Sequence, residues 1–172
     1  LLLEKMSMPD LPEVTLLFKE FLQIEHCPPE WQRLNLYLIR DDEVVFYVGQ
    51  SYVAFHRVWE HFYDGFKGRS LLGRFIVCNW QVSMRFTVEL MSSRAARFTS
   101  VEHDLNRSEE LLIQQYTPCL NTAMNPLPAP LPAPYFSPYT SLKFHRYPRR
   151  CILQAAQAIQ AEQKKAWLAQ NE

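Results

Sequence analysis

Apolar residues change their spacing along the first 50 residues, and the change separates two kinds of element. Behind Pro12, the apolar residues at 16–18, 21 and 22 recur at helical spacing, which predicts an amphipathic helix that ends before the Cys27-Pro28-Pro29 break. From Leu34 to Gly49, two β-rich runs, LNLYLI and VVFYV, flank the polar residues 40–43. This pattern predicts a β-hairpin with a polar turn.

The next 65 residues predict two helices and a third strand. Ser51 can cap a helix through VAFHRVWEHFYDG that stops at Gly65. The run RFTVELM alternates as a strand does, and Thr99 or Ser100 can cap a helix that runs to about Tyr116. The order helix, hairpin, helix, strand, helix predicts an α+β protein built on a small antiparallel sheet.

Proline sets the character of the C-terminal third. Residues 125–138 carry proline at every second or third position, which predicts a stiff, extended surface segment. A basic cluster, KFHRYPRR, and a helix from Cys151 to Ala169 follow. We therefore expect four parts: an N-terminal helical extension (1–30), a main domain (31–124), a Pro-rich then basic linker (125–150) and a C-terminal helix (151–172).

Composition narrows the class of protein. A chain of 172 residues with 48% hydrophobic residues can bury one core. Eighteen basic and eighteen acidic residues give no net charge, so any site for a polyanion must be local. The four cysteines lack C-x-x-C spacing, which argues against a zinc site or a disulfide framework. No apolar run is long enough to cross a bilayer, so we expect a soluble, cytoplasmic protein.

Glu109 is the carboxylate that most needs an explanation. It lies within the apolar stripe of the helix that ends at Tyr116, whereas Glu110 points away and Glu102 lies at the edge of that face. A carboxylate on an apolar face is costly unless it is paired or holds a metal. Glu109 is therefore either a metal ligand or the partner of an arginine.

Four further side chains are candidates for chemistry. Arg57 and His61 share the polar side of the helix after the hairpin, where they can grip a phosphate or form a solvated face. Tyr37 and Tyr47 lie on the two hairpin strands, where tyrosines usually pack across the strands. Their spacing alone does not choose between these alternatives.

Four fragments in order resemble the GIY-YIG nuclease superfamily: LYLI, YVGQS, an arginine eight residues after the glycine with a histidine four further on, and EELLIQQYTPCLN. The resemblance covers residues 34–121. It implies a three-stranded antiparallel sheet flanked by helices and a metal-dependent endonuclease that hydrolyses DNA.

The resemblance also implies a role for individual residues. Tyr37 would orient or deprotonate the attacking water, Arg57 would stabilise the scissile phosphate, and Glu109 would hold Mg²⁺ or Mn²⁺. Tyr47 and His61 match the remaining catalytic positions. Gly49, Gln50 and Ser51 would form the floor of a phosphate-facing cleft, and Asn121 closes the motif.

Departures from the family pattern are few. Asn35 and Leu36 replace the glycine and isoleucine of the first motif, and Gln50 stands where some repair enzymes carry lysine.

Extra phosphate contacts are expected from the basic cluster, namely Lys143, His145, Arg146, Arg149 and Arg150. Two alternatives remain: a catalytically silent nucleic-acid-binding module, and a protein-interaction domain that offers the Pro-rich segment or the C-terminal helix to a partner.

Overall fold

The computed structural model of the chain describes residues 13–140 and 147–171. Its strands are β1 (Val14–Leu17), β2 (Leu36–Asp41), β3 (Val44–Gln50) and β4 (Thr87–Met91). Its α-helices are α1 (Phe18–Phe21), α2 (Ala54–Phe66), α3 (Leu71–Cys78), α4 (Leu105–Tyr116) and α5 (Pro148–Gln170). Short 3₁₀ turns cover Pro29–Trp31, Val82–Arg85 and Ala96–Val101.

The four strands form one antiparallel sheet in the order β1-β4-β2-β3. The central strand β2 places Tyr37 opposite Gly49 of β3 on one side and Leu90 of β4 on the other. Between Ile39 and Arg40 the register with β3 shifts, so Phe46 is an extra residue in β3. Such a bulge re-aims side chains, and here both Phe46 and Tyr47 pack against the same core.

Each face of the sheet carries its own core. On one face, phenylalanine and leucine side chains of α1, α2 and α3 pack on Tyr37, Ile39 and Phe46. On the other face, Leu112 and Ile113 of α4 pack against the hairpin strands. The protein is therefore an α+β fold whose sheet lies between helices.

The N-terminal prediction is wrong in part. Residues 14–17 form strand β1, which pairs with β4, and only Phe18–Phe21 form a helix. The sheet consequently has four strands, and the expected number of three is wrong. The apolar spacing fits a helix, but the Val-Thr pair favours a strand and the free edge of β4 supplies the hydrogen bonds.

Helix boundaries also differ from the predictions. Helix α2 begins at Ala54, so Ser51 does not cap it, and the Ser51 N–H donates to the carbonyl of Asn35 instead. Helix α4 begins only at Leu105, where the Asp104 carboxylate accepts a hydrogen bond from the Arg107 N–H. Helix α3 lies outside the predictions, because its run LLGRFIVC is only eight residues long, has Arg74 as its single charged residue and contains a glycine and two β-branched residues, which are poor helix formers.

The Pro-rich segment has neither helix nor strand, as predicted, yet it packs on the core within the described residues 125–140. The Tyr135 ring contacts Phe46 and Phe86, and its hydroxyl donates to Asp41. The Asn79 side chain pairs with the backbone of Phe136. This segment is held against the sheet by side-chain contacts.

Helix α5 packs on α1 through its first half. Cys151 and Ala155 are buried in the main core, and Glu162 forms an ion pair with Lys19. Trp80 also donates its indole N–H to Gln154. Beyond Gln160 every described residue of the helix is exposed.

Candidate active site

Three aromatic rings meet where β2, β3 and α2 come together. The Tyr37 ring centroid lies 6.1 Å from that of Tyr47 and 5.7 Å from that of His61. The Tyr47 and His61 centroids are 5.6 Å apart, which closes the triangle. Tyr47 pairs with Ile39, two residues after Tyr37, so regular strand alternation places Tyr47 on the same face as Tyr37, and the bulge adds Phe46 to that face.

A chain of hydrogen bonds starts at Tyr37. The Tyr37 hydroxyl lies 2.7 Å from Nε2 of His61, and Nδ1 of His61 lies 2.6 Å from Oγ of Ser70. Ser70 also caps α3, because its Oγ accepts the Gly73 N–H at 2.9 Å. The position of the imidazole is thus tied to the start of α3.

Burial sets the protonation states of this chain. Tyr37 and His61 are only 2% and 5% exposed. Desolvation raises the pKa of Tyr37 far above its ordinary value, and the neighbouring Tyr47 raises it further. Desolvation also lowers the pKa of His61 to about 4, with the Arg57 charge acting in the same direction. At neutral pH, Tyr37 therefore keeps its proton and His61 is uncharged.

Arg57 lies beside the tyrosines on α2. Its Nη1 is 2.8 Å from Oε2 of Glu60, which is the first cause of the raised pKa of Arg57. The Arg57 charge also lowers the pKa of Tyr37 and of Tyr47, so the guanidinium is close enough to act on both phenols. The side chain is 41% exposed, which leaves room for an anionic ligand.

Glu109 approaches the same site from the opposite helical layer. Its Oε2 accepts a hydrogen bond of 2.5 Å from Nε2 of Gln50, and the same nitrogen donates to Oδ1 of Asn106 at 2.7 Å. Desolvation raises the pKa of Glu109. Desolvation and the charge of Glu109 both raise the pKa of Tyr47. Within residues 13–140 and 147–171 no arginine pairs with Glu109. The Glu109 carboxylate has Gln50 as its hydrogen-bond partner instead of the arginine that the sequence left open.

The oxygens at Glu109 fit a hard divalent cation. Carboxylate and amide oxygens are the ligands that Mg²⁺ and Mn²⁺ prefer, and Glu109 is half-buried with access to solvent. In the described part of the chain, no group of three or more His, Cys, Asp or Glu side chains converges on one point. A cation here would thus depend on a single carboxylate.

The lack of a side chain at Gly49 makes room for the Tyr37 ring. A Cβ atom at Gly49 would lie 2.3 Å from the Cζ and hydroxyl oxygen of Tyr37, so the phenol ring occupies the space that a side chain would need. Gln50 is half-buried on Glu109, and Ser51 binds Asn35 through its backbone. Gly49 thus contacts Tyr37 and Gln50 contacts Glu109, so two of these three residues touch a candidate catalytic side chain.

Asn121 supports the edge strand of the sheet. Its Oδ1 accepts the Val48 N–H at 2.9 Å, and its Nδ2 donates to the Val48 carbonyl at 2.8 Å. Both polar atoms of the amide are therefore occupied by the backbone of β3. The geometry assigns Asn121 a role in holding the strand that carries Tyr47 and Gly49.

The basic cluster falls only partly within the described residues. Lys143, His145 and Arg146 lie outside them, whereas Arg149 and Arg150 are exposed at the start of α5. Arg149 lines a groove of about 1050 Å³ between α2, α5 and the segment that follows α1, together with Glu60. This groove contains neither Tyr37 nor Glu109, so it is separate from the cluster of predicted catalytic residues.

Two residues at the site, Ser70 and Asn106, were missed by the sequence analysis. Ser70 precedes an apolar run, which is a signal for a helix N-cap, and its contact with His61 depends on how α2 and α3 pack. Asn106 lies three residues before Glu109, a spacing that puts both on one face of α4. That spacing was available from the sequence.

Comparison with known proteins adds no assignment: no family model, curated protein or solved structure matches this chain. Among the described helices, none combines the length and the apolar character that crossing a bilayer would require.

Proposed function

We propose that this protein is a divalent-metal-dependent endonuclease that hydrolyses DNA phosphodiester bonds by a GIY-YIG-type mechanism. One observation carries the proposal: the Tyr37 hydroxyl lies 2.7 Å from Nε2 of His61, and the rings of Tyr37, Tyr47 and His61 pack together. The charges of Arg57 and Glu109 also act on this hydroxyl, in opposite directions. Perturbed, mutually coupled groups of this kind favour a catalytic site over plain cross-strand packing.

The water that attacks phosphorus would be oriented by the Tyr37 hydroxyl. Because burial keeps Tyr37 protonated, it acts best by passing its proton to His61 as it receives one from the water. Nε2 of His61, at 2.7 Å, accepts that proton when Nδ1 carries its hydrogen toward Ser70. His61 is a proton acceptor because it is neutral at pH 7.

Arg57 supplies the positive charge for the phosphate. A guanidinium offers a fixed fork of donors to non-bridging oxygens, and this charge stabilises the transition state more than the ground state. Substrate would share or displace the Glu60 carboxylate that Arg57 now contacts. An anion bound at Arg57 would also offset the charge that lowers the pKa of His61 and so make the imidazole a better base.

Glu109 would hold the cation, whose chemistry is to neutralise charge on the phosphate and on the leaving oxygen. The carboxylate lies on α4, on the other side of β3 from α2, so phosphate would lie between Arg57 and Glu109. The charges of Glu109 and Arg57 each shift the pKa of Tyr47, which indicates that Tyr47 lies near both side chains.

A cleavage panel tests the proposal. Single-stranded, duplex and branched DNA, together with RNA, are incubated with the parent protein in Mg²⁺ or EDTA. We expect cutting only with Mg²⁺, and a loss of rate of about 100-fold or more in Glu109→Ala and Arg57→Ala. Glu110→Ala, a neighbouring carboxylate on the same helix, serves as the matched control and should cut as the parent does.

Other results would reject the enzyme. Variants that cut as fast as the parent would show that Glu109 and Arg57 are not the catalytic groups. Binding without cutting in any metal would favour the silent nucleic-acid-binding module. The absence of any affinity for nucleic acid would favour a protein-interaction domain.

A further inference from the structure

Gln50 and Asn106 form a polar group around Glu109 that the proposed catalytic roles do not use. One nitrogen, Nε2 of Gln50, lies 2.5 Å from Oε2 of Glu109 and 2.7 Å from Oδ1 of Asn106. Two oxygens from α4 thus converge on a single electropositive atom at the end of β3. The position of that atom marks where the two oxygens can bind a cation together.

The backbone explains why these oxygens converge. Asn106 and Glu109 are three residues apart on α4, so their side chains lie on the same face of the helix. Gln50 is the last residue of β3, and its side chain reaches across to that face. Near the N-terminus of a helix a cation is disfavoured by the dipole, but here the Asp104 carboxylate caps the first turn and offsets it.

The chemistry of the three side chains suits one kind of ligand. Each carries a hard oxygen, and a carboxylate with two amide carbonyls resembles the mixed sets that hold Mg²⁺, Mn²⁺ or Ca²⁺. Rotation of the Gln50 side chain can withdraw Nε2 from between the two oxygens and turn Oε1 toward the vacated position without moving the backbone, because the amide carries a donor and an acceptor. Asn106 is exposed and Gln50 is half-buried, so a hydrated ion can reach the group.

We propose that Asn106 and Gln50 join Glu109 as ligands of the divalent cation, with Gln50 turning its amide to present oxygen when the ion binds. In the metal-free protein the same amide holds the Glu109 carboxylate in place. This inference rests on the proposed function, which needs the cation at Glu109. With Asn106 and Gln50, the number of side chains that supply an oxygen ligand to the cation rises from one to three.

Binding of Mn²⁺ alone tests the ligand set without any substrate. The free ion is counted by electron paramagnetic resonance during titration of the full chain. We expect Asn106→Ala and Gln50→Ala each to weaken Mn²⁺ binding about 10-fold, and Gln50→Glu to strengthen it, because a second carboxylate would face the ion. Glu110→Gln, on the same helix, is the control and should bind as the parent does. Thermal melting in EDTA checks that each variant folds.

The sign of the Gln50→Ala effect separates the proposal from its simplest rival. If Gln50 only blocks Glu109, its removal makes Mn²⁺ bind more tightly, and the proposal is overturned. It is also overturned if Asn106→Ala binds Mn²⁺ within about twofold of the parent, or if the parent binds no Mn²⁺ at millimolar concentration.

The outcome of the cleavage panel is independent of the outcome of the Mn²⁺ titration. A parent protein that binds Mn²⁺ through all three residues but cuts no nucleic acid would leave the ligand set standing and reject the nuclease. A parent that cuts, with variants that keep its Mn²⁺ affinity, would reject the ligand set alone.

Discussion

At the scale of single residues, Gly49 determines where Tyr37 can lie. The phenol ring fills the position of the missing side chain, with two ring-end atoms 2.3 Å from where Cβ would be. The resemblance implies that this glycine forms part of the floor of a phosphate-facing cleft. The contact with Tyr37 gives it a role within the protein itself, which no pattern in the sequence could show because the two residues are twelve positions apart.

Gly49→Ala is predicted to destabilise the protein by about 1–3 kcal/mol, because overpacking forces the Tyr37 ring to move. Urea unfolding measures the change. In a Tyr37→Leu background the same substitution should cost clearly less, since the smaller side chain leaves room. Equal costs in the two backgrounds would show that the contact with Tyr37 is not the cause.

The buried imidazole of His61 makes stability depend on pH. Its pKa of about 4 in the folded protein lies below the ordinary value of 6.5, so the unfolded chain takes up the proton first on acidification. The free energy of unfolding should therefore fall as pH drops from about 6.5 to about 4, by up to about 3 kcal/mol from this residue. It should level off below that window.

Urea unfolding across this pH range, compared with His61→Gln, isolates the contribution of His61. The difference in the free energy of unfolding between the parent and His61→Gln should narrow as pH falls, because only the parent must bury the titrating ring. An NMR titration of the His61 ring provides a direct check, and a midpoint near 6.5 would contradict the prediction.

At the scale of elements, two glycines let α2 and α3 pack almost backbone to backbone. A Cβ at Gly73 would lie 1.8 Å from the carbonyl oxygen of His61, and one at Gly65 would lie 2.4 Å from the Gly73 backbone. This close packing brings Ser70 to His61. The sequence indicates Gly65 only as a helix stop, because a contact between two helices leaves no local signal.

Gly73→Ala is expected to cost about 3 kcal/mol or more, since its methyl group meets the backbone of α2, which cannot give way as a side chain can. Gly68→Ala is the control. That position has open space around it and only the strain of a φ of +71°, worth about 1–2 kcal/mol. Comparable losses in the two variants, measured by urea unfolding, would argue against the close contact.

Local pattern predicted the hairpin, β4, and helices α2 and α4 from the spacing of their apolar residues, and α5 from a run rich in alanine and glutamine with a thin apolar stripe. It failed at β1 and α3, where tertiary contacts decide the structure. Val14 to Leu17 pair with an edge that the local sequence does not reveal, and α3 is buried on most sides. The candidate catalytic residues were singled out by their positions on the predicted elements and given roles by the resemblance, whereas the contacts of Gln50 and Ser70 required three-dimensional packing.

At the scale of the whole molecule, the C-terminal helix divides into a packed half and an exposed half. Cys151 and Ala155 belong to the main core, while Trp167 is 62% exposed. Truncation after Gln163 should change the free energy of unfolding by no more than about 0.5 kcal/mol, because residues 164–171 are all exposed. Ala155→Glu should cost about 3 kcal/mol or more, because it buries an unpaired charge.

Denaturant unfolding of the two variants beside the parent tests this division. A large loss on truncation would show that the exposed turns stabilise the fold. A neutral effect of Ala155→Glu would show that α5 does not pack on α1 in solution.

The way Asn121 holds β3 has a consequence for how molecules of this protein meet one another. Cys119 and Leu120 donate backbone hydrogen bonds to Val45 and Phe46, and the Asn121 amide takes both groups of Val48. A strand from a neighbouring molecule would find these hydrogen-bonding groups of β3 already used. In the described part of the chain the opposite edge of the sheet is β1, a strand of only four residues, and sheet-to-sheet aggregation in a concentrated solution is expected to start there.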